Sequence, residues 1–270
     1  MLVKREITIM FTFVKKDIDF SHKLDHASSP KDEYNKHMHV FYELILFIRG
    51  DVDYHVEGET HHLKNGDIVL MNPGKYHFAS VNHDVSYERY VLKFPVDCVP
   101  LLIEEKLKKK EPFYSFNKQV DTLIKELDTL HDSFNEDDLY YLYRCKILEI
   151  MIHLANIEQS GPESEENGDI ISTLINYIQE HIKDNLTLET IAKDMHYSES
   201  YLSNQFKKTM KCPLMKYIRS KKIILAQSMI RDGQKATDVA EELSFTDYST
   251  FYRSYIKIIG ISPLLDKNNR

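Results

Sequence analysis

TLETIAKDMHYSESYLSNQFKKTM, residues 187–210, and ATDVAEELSFTDYSTFYRSYIKII, residues 236–259, are two copies of one pattern. Ile191-Ala192 matches Val239-Ala240 at an offset of 48, as Met195 matches Leu243 and Tyr197 matches Phe245. Past the turn the offset becomes 49: Leu202 matches Phe251, Asn204 matches Arg253, Phe206 matches Tyr255 and Lys208 matches Lys257. Self-similarity of this kind marks a repeated supersecondary unit. Each copy reads as a short helix with a small residue, Ala192 or Ala240, where a second helix must pass close by. A turn follows with an N-cap-type residue, Ser198 or Thr246. The next helix keeps its apolar positions inward and its Ser, Asn, Arg and Lys positions outward, and such an outer face can enter a major groove. A long helix, with Pro213 in its first turn and an end near Met229, joins the copies. An ordinary helical corner explains one such unit. Two units on one connecting helix point to a pair of DNA-reading modules.

Charge follows the same division. The chain of 270 residues has a net charge of −7, yet residues 170–270 hold 15 Lys and Arg against 11 Asp and Glu. The excess acid therefore lies in the first part, and the second part tolerates phosphate. Cys98, Cys145 and Cys212 are far apart with no CxxC spacing, which argues against a disulfide framework or a cysteine-based zinc site. No run of 18 apolar residues is present, so no membrane span is expected. The N-terminal MLVKREITIMF alternates like a strand and lacks the features of a signal peptide, which predicts a cytoplasmic protein.

Residues 1–95 read as short strands. ELILFI (43–48) and DIVLMN (67–72) are apolar runs, and turn residues stand at Arg49-Gly50-Asp51, Glu57-Gly58-Glu59, Lys64-Asn65-Gly66-Asp67 and Asn72-Pro73-Gly74. This spacing suggests an antiparallel barrel or jelly roll. From about 100 the period becomes helical. Val120, Leu123, Ile124, Leu127 and Leu130 form one stripe; Leu139, Leu142, Ile147, Ile150, Met151 and Leu154 form another. These stripes serve either their own domain or a dimer interface. The lysine run 106–110 reads as a solvated face, and SGPESEENGD (160–169) as a linker.

Residues 175–265 resemble the double helix-turn-helix domain of the AraC/XylS transcription regulators. The resemblance rests on Ala240, Ser244-Phe245, Ser249, Phe251, Arg253, Tyr255, Lys257, Gly260 and Ser262-Pro263. Departures are Ser244 and Lys211 where that family usually has glycine, Tyr255-Ile256 in place of Phe-Lys, and Leu264-Leu265-Asp266 after the final proline. The first half resembles the cupin barrel. His37, His39, Glu43 and Gly50 keep the spacing of the first cupin motif. The second runs from Gly66-Asp67 to Pro73-Gly74-Lys75-Tyr76-His77, with Val81 where an asparagine is usual. The expected fold is multidomain. A cupin-like barrel spans 1–98, a helical dimerisation or linker segment 99–159, a flexible linker 160–169, and an all-α double helix-turn-helix 170–270.

Together these features predict a sequence-specific transcription regulator that binds double-stranded DNA as a homodimer and responds to a small molecule in its barrel. Ser200, Ser203 and Asn204, with Ser249, Tyr252 and Arg253, are the expected base readers. Lys207, Lys208 and Lys257 are the expected phosphate partners. His37, His39, Glu43 and His77 are the expected effector pocket. On one strand His37, His39 and Glu43 share a face, and with His77 they form a set that suits a first-row metal. The rival reading is therefore a metal-dependent cupin enzyme fused to a helical domain. It gives way for three reasons. A free-standing enzyme has no need of two DNA-reading units; the resemblance implies that such regulators use the barrel for an effector; and histidines inside a barrel are more often hydrogen-bonded pocket residues than ligands. No catalytic activity, metal or other cofactor is expected.

Overall fold

The computed structural model describes residues 7–26, 36–81, 85–130, 133–159 and 170–268. The expected linker at 160–169 lies outside them. Two compact units result, 1–164 and 165–270.

The first unit begins with eight strands: β1 (Ile7–Lys15), β2 (Ile18–His26), β3 (Tyr42–Arg49), β4 (Val52–Val56), β5 (Glu59–His62), β6 (Ile68–Met71), β7 (His77–Val81) and β8 (Ser86–Phe94). Helix α1 (Leu101–Leu107), the short strand β9 (Phe113–Tyr114), α2 (Lys118–Leu127) and α3 (Glu136–Asn156) complete it. The strands form two antiparallel sheets, ordered β1-β2-β8-β3-β6-β9 and β5-β4-β7. Their facing sides make one core from Ile45, Phe47, Val69, Met71, Tyr87 and Val91 of the large sheet with Val52, Tyr54, Val56, Ala79 and Val81 of the small one. This is the two-sheet barrel that the spacing of strands and turns predicted.

The other side of the large sheet is also covered. Phe13, Phe20, Tyr42, Leu44, Leu46, Leu70 and Leu92 share a core with Val120, Leu123, Ile124 and Leu127 of α2 and Leu139, Tyr143, Ile147, Ile150, Met151 and Leu154 of α3. This explains the unbroken run ELILFI: β3 is buried on both faces, so period-two alternation disappears. The helices after residue 99 thus complete the barrel's own core. Apart from the half-buried Leu142 and Leu130, the residues of both apolar stripes are buried inside the protomer. The lysine run is not merely a solvated face either. Lys110 Nζ donates to the Ile157 carbonyl at 2.7 Å, satisfying one of the orphan acceptors at the end of α3.

The second unit is helical: α4 (Ile170–Glu180), α5 (Leu188–Asp194), α6 (Glu199–Met210), α7 (Leu214–Arg231), α8 (Ala236–Glu242), α9 (Tyr248–Ile259) and α10 (Pro263–Asn268). Pro213 is the N-cap of α7, one place before its first turn. No helix among the described residues is long and apolar enough to cross a membrane. No disulfide joins Cys98, Cys145 and Cys212.

Candidate DNA interface and barrel histidine cluster

The two repeat copies fold as two helix-turn-helix units, α5–α6 and α8–α9. Both first helices end in the same way. The Tyr197 N–H reaches back to the Ala192 carbonyl (2.9 Å) and the Phe245 N–H to the Ala240 carbonyl (3.0 Å), while His196 and Ser244 sit at φ 59° and 54°. This is the Schellman stop, which favours glycine at its left-handed residue. Ser244 fills the usual glycine place, and its hydroxyl donates to the Lys183 carbonyl at 2.8 Å. Lys211, the other departure from glycine, is likewise left-handed at φ 54°, where Gly260 stands in the second unit at φ 91°. Both departures from glycine thus fall on residues whose backbone suits glycine.

The second helix of each unit carries a side-chain N-cap. Ser198 Oγ accepts from the Tyr201 N–H. In the second unit the cap is Asp247 and not Thr246: the Asp247 carboxylate accepts from the Thr250 N–H at 2.7 Å. That backbone bond foremost, and the Thr250 hydroxyl donating to Oδ2 at 2.9 Å, hold the Asp247 carboxyl below its ordinary range. The offset therefore changes before the cap, and the turn of the second unit is one residue longer. Leu202, Phe206 and Met210 of α6 and Phe251 and Tyr255 of α9 are buried.

Ser200, Asn204, Lys207 and Lys208 are exposed on α6, and Ser203 is half-buried; Ser249, Tyr252, Arg253 and Lys257 are exposed on α9. Residues 200, 203, 204 and 207 and residues 249, 252, 253 and 256 follow the same three-four spacing, so each set lies on one outward face. Tyr248 and Ile256 belong to the α9 face and were missed; their spacing of four and seven from Tyr252 and Ser249 was the available signal. Two tyrosines and an isoleucine there offer apolar contact of the kind a thymine methyl takes.

In the barrel, the four predicted residues converge. Their ligand-type atoms all lie within 4.8 Å of one another; His39, Glu43 and His77 are buried and His37 is exposed. Glu43 comes from β3 on the side facing the small sheet, and His77 opens β7. The histidines of HMH do not stand on a regular strand as expected. His37 forms an isolated antiparallel bridge with His77 instead, through N–H···O bonds of 3.2 and 3.0 Å in the two directions. The turn at Asn72-Pro73-Gly74-Lys75 has Gly74 at φ 79°, as a type II turn requires, and the Gly74 N–H holds the His39 carbonyl at 2.7 Å.

The protons of this cluster can be placed. His39 Nδ1 lies 2.8 Å from the Phe41 carbonyl, and His77 Nδ1 lies 2.9 Å from the Lys75 carbonyl. A carbonyl only accepts, so both Nδ1 atoms carry hydrogen. Both Nε2 atoms then face Glu43 Oε2, at 3.2 Å and 2.9 Å. In neutral rings those are lone pairs aimed at a carboxylate, an arrangement that needs added protons or a cation. Burial pushes the His39 imidazole down, against the pull of Glu43. Burial also pushes the Glu43 carboxyl up, but the two imidazoles outweigh it and hold it well below the carboxylate range. Lys93, paired with Glu43 across β3 and β8, places Nζ 3.6 Å from Oε1. A tetrahedral ion with bonds of about 2.1 Å keeps its ligands roughly 3.4 Å apart. The Glu43 contacts, at 3.2 and 2.9 Å, are somewhat shorter than this, and the side chains would part slightly to admit the ion. Backbone carbonyls holding the distal imidazole N–H are also the usual outer shell of a metal-bound histidine. The residues fit a divalent first-row metal, through N and O donors alone.

Comparison with known proteins agrees with both halves. The model of the AraC-like ligand binding domain matches residues 23–141, and that of a helix-turn-helix domain matches residues 191–265. The chain is 34% identical to the regulatory protein SoxS of Salmonella typhimurium over 95 residues, 35% of this chain and 89% of SoxS. It is 21% identical over 247 residues to the transcriptional activator RhaR of Escherichia coli O139:H28, covering 87% of each. A Bacillus subtilis regulator, YtdP, is 34% identical over 148 residues, which span 54% of this chain but only 18% of that longer protein. The two units define a DNA-binding regulator with a sensory barrel. This chain belongs to the AraC family of transcription regulators, with an N-terminal ligand-binding domain and a C-terminal helix-turn-helix region.

Proposed function

We propose that this regulator is a cytoplasmic, non-enzymatic homodimer that reads DNA with both α6 and α9 and answers to a ligand held at the barrel cluster. The observation that carries the DNA part is the pair of equivalent exposed faces on α6 and α9. Asn204 and Arg253 occupy the same place in the two units and read bases, with Ser200, Ser203, Ser249 and Tyr252 beside them. Lys207, Lys208 and Lys257 hold phosphate. Arg253→Ala is expected to cost about 1–3 kcal/mol on the specific site and far less on random sequence. Lys257→Ala is expected to weaken both duplexes alike and to lower the salt slope by about one unit. The measurement is a binding titration at several salt concentrations, on a site selected from a randomised duplex library and on its scrambled form. Equal losses for Arg253→Ala on both duplexes would make it a phosphate contact.

The effector site we assign to His37, His39, Glu43 and His77, now as a divalent metal site. The support is the Nδ1 locking, which leaves two Nε2 lone pairs and a carboxylate turned toward one point. Bound there, the ion supplies the positive charge that this set lacks. It either acts as the signal itself or anchors an anionic effector.

The dimer we place on the outer face of α3. Tyr141 and Ile152 are 62% and 41% exposed, Cys145 is exposed, and the half-buried Leu148 lies between them at helical spacing. Light scattering on the full chain at micromolar concentration should give twice the monomer mass, and Ile152→Glu should halve it. Retention of the dimer in that variant removes this face from consideration.

A further inference from the structure

Lys222 stands on the buried side of α7, in line with Ile218, Ala226 and Ile230, and is only 6% exposed. A lysine there is costly, since burial pushes its ammonium down while the Asp184 charge pulls it back. Its Nζ donates to two backbone carbonyls, that of Asp184 at 2.7 Å and that of Leu243 at 2.7 Å. Asp184 lies in the turn that leads into the first helix-turn-helix unit. Leu243 is the C-cap of α8 in the second unit. A helix C-terminus presents unpaired carbonyls and negative dipole charge, so a cation suits it.

Two more contacts cross at the same place. Ser244 Oγ donates to the Lys183 carbonyl at 2.8 Å, and Lys183 Nζ meets Glu242 Oε1 at 2.7 Å. Side chains of α8 and its end thus grip the turn 183–184, and Lys222 binds both from beneath. An apolar residue of similar length would fill the space without the desolvation cost. It would not tie the two turns together.

We infer that Lys222 is a positioning residue for DNA reading: it clamps the entrance of the first unit to the end of α8, and so presents α6 and α9 at one fixed spacing. This rests on the reading that both helices face DNA. The decisive measurement is made without DNA, so failure of the two ideas can be told apart.

The experiment uses the full chain in a Cys145→Ser background, with spin labels at Ser200→Cys and Ser249→Cys and distances read by pulsed electron resonance. With Lys222 in place a single narrow distribution is expected. Lys222→Met should broaden it, and Lys222→Arg, which keeps the charge and the donors, should restore the narrow form. On the selected duplex, Lys222→Met should lose about tenfold of the preference for native half-site spacing over spacing changed by about two base pairs. Lys222→Gln is run alongside in case the methionine variant does not fold, and broadening in it counts equally. A native distance width in a folded Lys222→Met or Lys222→Gln variant, with only a lower melting temperature, overturns the inference: Lys222 would then be structural alone.

Discussion

Replacing Asp266 by alanine is expected to destabilise the C-terminal unit by about 3 kcal/mol. Its side chain is fully buried. Oδ2 accepts from Gln227 Nε2 at 2.6 Å and from the Tyr255 hydroxyl at 2.7 Å, and Oδ1 accepts from Arg231 Nε at 2.8 Å. One carboxylate therefore ties α10 to α7 and α9. Burial first, and the Asp266 bond second, push the Tyr255 phenol above its ordinary range. In the alanine variant Gln227 and Tyr255 keep their donors in a dry site with no acceptor, at about 1–3 kcal/mol each. Arg231 is 41% exposed and turns to water, so its share is small. Asp266→Asn should fall between, since its amide nitrogen opposes donors with a donor. Urea unfolding of the full chain, followed by circular dichroism, measures this in the transition of the second unit. A loss below about 1 kcal/mol would mean that the site relaxes enough to rehydrate both donors.

Zinc or cobalt is expected to bind the metal-free protein at about one equivalent and to stabilise the first unit by roughly 2.7 kcal/mol when the free ion is a hundredfold above its Kd. Cobalt also reports its own coordination through visible absorption bands, a readout independent of stability. Glu43→Gln keeps the shape of the side chain and removes its charge. It should weaken binding by at least about tenfold, because the ion then loses its one anionic ligand beside the two Nε2 donors. His77→Ala should abolish the cobalt bands. The result that sinks the assignment is less than about a tenth of an equivalent bound after loading and removal of free metal. The sequence alone points to ordinary pocket histidines. The locked Nδ1 atoms are what support the proposed metal site, and they depend on the Phe41 and Lys75 carbonyls, whose positions no motif spells out.

Other parts divide on the same physical line. The repeat was legible because helix-turn-helix packing forces small and apolar residues at fixed intervals, and these survive as a pattern in one chain. Its cap slipped by one residue because Thr246 and Asp247 both suit an N-cap, and only the backbone decides between them. The stripes on α2 and α3 were legible as apolar faces. Their partner was not, since periodicity says which side is buried and not what covers it. On α3 the apolar residues run round the helix, and that obscured the division between a sheet-facing side and an exposed one. Lys222 and Asp266 were illegible for a different reason. Charged residues read as surface, and only their several bonds to distant parts of the chain permit their burial.

The extra residue in the second turn bears on how a duplicated reading unit tolerates change in length. Added inside α9, one residue would swing every later side chain about 100° around the axis and carry Arg253 and Lys257 off the face they share with Ser249 and Tyr252. It falls instead between the end of the α8 stop, at Phe245, and the Asp247 cap. There the chain has no helical phase to disturb. The insertion is absorbed as loop length, and the azimuth of Ser249, Tyr252 and Arg253 stays that of Ser200, Ser203 and Asn204. Turn length and helix azimuth are thus uncoupled, and the two units can drift apart in sequence and size while still presenting the same exposed face.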